Sequence, residues 1–161
     1  MSLRSRLIQI LGLGRSTTAV TDGGKIRTVQ MKFPTTGETR GEVPFMQHYG
    51  FASRPHAGCD FTVVALDHHP GKSIAIASND QRWTITLAEG EIAMHDDQDQ
   101  KFHLTRDGWD ILDKSGNRIL SSPAGVAITS ATLTHNGVNI GSTHEHTGVT
   151  SGASDTGPPV A

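Results

Sequence analysis

Between about Lys25 and Ser78, apolar and polar positions alternate in short runs closed by turn residues. "KIRTVQMKF" places Ile26, Val29 and Met31 near an apolar side, and Pro34 and Gly37 end it. "CDFTVVAL" and "SIAIAS" are rich in β-branched residues and are separated by "DHHPGK", a turn by composition. Five or so strands of this length predict a small barrel of the oligonucleotide/oligosaccharide-binding (OB) type. After Asn79 the grammar changes. Pairs of apolar residues two apart recur at Trp83, Ile85 and Leu87, at Ile92 and Met94, at Phe102 and Leu104, and at Trp109 and Ile111. Val126 with Ile128 and Val138 with Ile140 complete the series. Turn signals fall at Gly90, Gly108, Gly116, Gly125 and Asn136-Gly137, with no repeated residue motif.

Each of these later strands has period two and so buries one face only. Two apolar side chains per strand are too few to close a core within one chain. Copies wound about a common axis would cover those faces, and a trimer is the simplest closed arrangement. The competing reading is a second small β domain packed on the first. The N-terminus differs again. Leu3, Leu7, Ile10 and Leu11 suit one face of a short docking helix, and Gln9 and Gly12 interrupt the apolar run that a signal peptide would need.

Composition agrees with an all-β chain. Among 161 residues, 18 are Gly, while hydrophobic content is 35% and aromatic content 5%, which favours many short strands over long helices. Lys and Arg total 14 against 16 acidic residues, a net charge of −2 that argues against nucleic acid or an anionic membrane as partner. No run of ~20 apolar residues marks a membrane span. Cys59 is the only cysteine, so no intrachain disulfide forms, and a buried apolar role is expected of it.

Candidate chemistry is sparse. "GLGRST" (Gly12 to Thr17) has glycines but no lysine of a phosphate loop. Asp96, Asp97 and Asp99 read as a solvated turn, and no serine or cysteine sits in a nucleophile elbow. The chain is therefore read as a non-enzyme. His68 and His69 precede Pro70 in a turn, and His48, His56, His95, His103 and His135 are scattered without an evident partner. The tail "THNGVNIGSTHEHTGVTSGASDTGPPVA" is the exception, with His144 and His146 two apart. If the strand of Val138 and Ile140 continues, Ser142, His144 and His146 share its inward face and Glu145 points out. In a trimer this gives six imidazoles on one axis, an octahedral set that suits a first-row transition metal better than four-coordinate zinc. A solvated tail with no metal is the alternative. A metal-binding cupin also uses His-x-His, but no later Glu and His follow here to complete its ligands.

Two stretches carry a family likeness. "QHYGFASRPHAGCDFTVVALDHHPGKSIAIAS" resembles the barrel domain of the Mu-like baseplate spike proteins of contractile-tailed phages, which carry a similar "YGF-S-P-G" stretch. "GSTHEHTGVTSGASDTGPPVA" resembles the apex of that family and of the baseplate assembly protein V spikes. Cys59-Asp60 stands where small and acidic residues are expected.

The resemblance implies an N-terminal segment at 1–20 that attaches to the hub and an OB-fold-like barrel at 21–80. It further implies a trimeric triple-stranded β-helix shaft at 81–135 and an apex at 136–161. It implies one iron ion per trimer on His144 and His146, with other ions unassigned to residues. The corresponding function is that of the central tail spike of a virion, prophage or tailocin, assembled in the host cytoplasm. The spike is a homotrimer bound to baseplate hub proteins and driven mechanically through the host outer membrane. An oligomeric β-rich binding module is the alternative from the residues alone.

Overall fold

A computed structural model describes residues 11–66, 69–145, 147, 148 and 152. The chain divides into two compact units, Met1–Thr84 and Ile85–Ala161. No helix occurs among the described residues.

The first unit is a closed five-stranded barrel of β1 (Leu11–Ser16), β2 (Arg27–Lys32), β3 (Thr39–Phe45), β4 (Asp60–Leu66) and β5 (His69–Asn79). Around the barrel the order is β1-β2-β3-β5-β4, antiparallel throughout except where β3 meets β5. Alternation sends Val29, Met31, Val43, Phe45, Phe61 and Val63 inward, where they form the core with Val20, Phe33 and Ala75. Phe45 and Phe61 meet edge to face at 5.1 Å between ring centroids. Cys59 belongs to this core at 1% exposure, and burial pushes its thiol above the usual cysteine range.

Three expectations are corrected here. Leu11 lies in a barrel strand and not in a helix, and the barrel sheet begins at Leu11 and not at residue 21. Residues 1–10, with Leu3, Leu7 and Ile10, lie outside the described residues. One of the glycines that obscured β1, Gly14, has a packing reason. A Cβ on Gly14 would stand 2.5 Å from the sulfur of Met31, so the bare backbone makes room for that fully buried side chain. "RWTITL" forms no strand. Trp83 instead stacks against the His56 ring at 5.0 Å and beneath the Arg82 guanidinium at 4.4 Å. Arg82 is tied in turn to Asp80 and to the Ala57 carbonyl.

The second unit contains an antiparallel meander of β6 (Ile92–His95), β7 (Lys101–Leu104), β8 (Trp109–Leu112), β9 (Arg118–Ser122) and β10 (Gly125–Thr129). A hairpin of β11 (Thr134–His135) and β12 (Val138–Asn139) follows. The Asn136-Gly137 signal is a tight turn with both residues at positive φ, 50° and 80°. β9 had no apolar pair to announce it, because Ile119 and Leu120 point to opposite faces.

The meander also repeats a turn. Asp96 Oδ1 accepts the backbone N–H of Gln98 and Gln100, and Asp113 Oδ1 accepts those of Ser115 and Asn117. Each carboxylate also takes the side-chain amide of the residue four ahead, Gln100 or Asn117. These hydrogen bonds, the Gln98 amide first for Asp96 and the Asn117 amide first for Asp113, hold both carboxyls below their ordinary range. The acidic cluster is thus a turn in which Asp96 is a structural acceptor.

Candidate functional site

Register assigns the faces of the meander without ambiguity, because directly paired residues share a side. One row runs Met94–Phe102–Ile111–Ile119–Ile128, one residue from every strand. A second runs Ile92–Leu104–Trp109, with Val126 on the same side of β10 as Ile128. This face is apolar across its width, yet Ile92, Met94, Phe102, Leu104, Val126 and Ile128 are each 53–64% exposed. A trough of about 690 Å³ lies against it, lined by Met94, Phe102, Ile111, Ile119, Ile128 and Leu133 among others.

The opposite face is mixed, with Lys101, His103, Asp110 and Arg118 beside Leu112 and Leu120. Asp110 is 3% exposed and accepts hydrogen bonds from Arg118 Nε at 2.6 Å and Nη2 at 3.1 Å. Lys101 Nζ reaches the Oδ2 that Arg118 Nη2 also contacts, at 3.1 Å. Lys101 and Arg118 each follow one of the two repeated turns, so the repeat delivers two cations to one carboxylate. The Arg118 hydrogen bond, with Lys101 behind it, keeps the Asp110 carboxyl below its ordinary range against the opposing effect of burial. Nearby, Glu91 Oε2 contacts His103 Nε2 at 3.1 Å, and its Oε1 accepts the N–H of Arg106. His56 and His103, which the sequence left without partners, therefore have them.

The apex begins at a turn. β12 ends at Asn139, Ile140 N–H still bonds to Leu133 O, and residues 141–143 then bend. His144 N–H returns to the Gly141 carbonyl at 3.1 Å, so the period-two continuation from Ile140 to His144 does not hold. The cause is local, since Asn139 Oδ1 takes the Gly141 N–H that a ladder would have used. His144 Nδ1 lies 2.7 Å from Gly141 O. A carbonyl can only accept, so Nδ1–H is the donor in this contact. Glu145 is exposed, and His146 lies outside the described residues. Among the described residues, no three His, Cys, Asp or Glu side chains gather within the chain.

Comparison with known proteins bears on the first unit. Residues 16–82 match the family model for Bacteriophage Mu Gp45, N-terminal. That span runs from the last residue of β1 to Arg82, the residue stacked on Trp83, and takes in the rest of the barrel. No curated protein matches the chain. The match supports the Mu-like resemblance read from the "YGF-S-P-G" stretch, which lies inside it. The barrel is similar to the N-terminal domain of Bacteriophage Mu Gp45, and this similarity supports a Mu-like phage baseplate protein.

Proposed function

We propose that this protein is the homotrimeric central spike of a contractile tail, a mechanical part with no catalytic role. The observation that carries the reading is the meander turned inside out, with its apolar face open and its carboxylate covered. Covering a half-exposed Ile, Met or Phe side chain contributes roughly 1 kcal/mol. Three meanders facing one axis would gain that at every row. The resulting body is narrow and stiff, with charged groups outward, as a needle pushed through an outer membrane requires. The barrel attaches the spike to hub proteins of the baseplate, and no nucleic acid is expected as a partner of a chain whose net charge is −2.

The apex reading goes with it. A metal-bound imidazole characteristically donates its other N–H to a backbone carbonyl, and the His144–Gly141 contact has that form. The residue fits one ligand per copy, presented from a turn, and His146 would supply the second. Iron, when bound, ties the three tails together where apolar packing ends.

The test of the assembly is a charge placed on each face. Phe102→Glu should convert the trimer to monomer or aggregate, whereas His95→Glu, on the opposite side of the sheet, should leave it trimeric. Equal effects from both variants would mean that the apolar face is not the interface.

A further inference from the structure

We propose that Asn139 is a positioning residue for His144, clasping the apex turn so that the imidazole presents Nε2 as its unprotonated nitrogen. What Nε2 then binds rests on the metal reading above, whereas the positioning does not.

The clasp has two arms. Asn139 Oδ1 accepts the Gly141 N–H at 2.9 Å, and its Nδ2 donates to Thr143 Oγ1 at 3.0 Å. Between them the backbone reverses, leaving the Gly141 carbonyl to accept both His144 N–H and His144 Nδ1–H. The base of the clasp is anchored, because Asn139 pairs with Thr134 in the hairpin. The fit is tight at Gly141, where a Cβ would stand 3.2 Å from Asn139 Oδ1 and 3.5 Å from Leu133 N. The short amide offers both an acceptor and a donor at this fork. Aspartate keeps the acceptor and can take a bond from the Thr143 hydroxyl, while alanine keeps neither. Groups that orient a ligating histidine in this way typically change metal affinity 10–100-fold when removed.

The experiment uses full-length, metal-free protein with ¹⁵N-labelled histidine at about pH 8, where a free imidazole is neutral. The His144 resonances are assigned by their loss in His144→Gln. Wild type should show protonated Nδ1 and bare Nε2. Asn139→Ala should give a mixture of tautomers, and Asn139→Asp should restore the wild-type form. Titrating the same samples with Fe(II) alone should show at least tenfold weaker uptake in Asn139→Ala and near-normal uptake in Asn139→Asp. Wild-type nitrogen shifts in Asn139→Ala would overturn the proposal, whatever iron does. A tautomer that depends on Asn139 in a protein taking up no iron would uphold the positioning and remove the metal reading. If Asn139→Ala does not assemble, Thr143→Val breaks one arm, and unchanged His144 shifts there would overturn the proposal equally.

Discussion

Phe102 and Asp110 lie on opposite faces of one sheet, on adjacent strands, with their burial inverted: Phe102 is 57% exposed and Asp110 is 3% exposed. A lone soluble domain orders such a pair the other way, since apolar area is what folding removes from water. The inversion is explained if other copies cover the phenylalanine. The carboxylate is covered by its own chain, through Lys101 and Arg118.

Asp110 should therefore matter within the chain. At neutral pH, Asp110→Asn should destabilise the protein by about 1–3 kcal/mol, since two cations lose a charged acceptor. The pH dependence has a definite sign. The Asp110 carboxyl lies below its ordinary value in the folded protein because Arg118 bonds to its charged form. Its contribution is thus full above the unfolded value near about pH 4 and is lost as pH falls through the lowered folded value. Thermal melts of wild type and variant should differ most near neutrality and converge in acid. A gap that widens in acid would contradict the assignment.

Gly108 carries a steric requirement that its turn position alone does not reveal. A Cβ there would collide with the backbone carbonyl of Ser121 on the way into β8. Gly108→Ala should cost about 1–3 kcal/mol by forcing β8 and β9 apart. Gly116→Ala, with open space around its Cβ but a positive φ, should cost only about 1 kcal/mol. A melt series ranking the two in reverse would show that the strands are not so closely apposed.

The metal is tested by elemental analysis of untagged protein purified without added metal. Iron should appear at one atom per three chains and disappear in His144→Ala with His146→Ala, leaving the trimer intact. Zinc at one per chain would mean a site closed within each copy.

The sequence announced what depends on side-chain alternation and concealed what depends on the third dimension. Val29, Met31, Phe61 and Val63 marked the barrel core, and the paired apolar positions after Asn79 marked a sheet with one apolar face. β1 was concealed because Gly14 serves Met31, a neighbour distant in sequence. Trp83 alternated like a strand residue but is held by the His56 ring and the Arg82 guanidinium from its own domain. The repeated turns escaped notice because Gln and Asn, or Lys and Arg, are different letters with one hydrogen-bonding role. At the apex, strand alternation does not reach His144, because the Asn139 side chain takes the Gly141 N–H and diverts the backbone first.

The central claim is that the open apolar face is closed by two further copies of the same chain. Its most direct test is the molar mass of the full-length protein in solution, measured by light scattering across a dilution series. The account predicts three times the chain's 17.2 kDa, constant down to micromolar protein, because intertwined chains separate only by unfolding. A mass of 17.2 kDa at micromolar concentration would contradict it, and with it the spike.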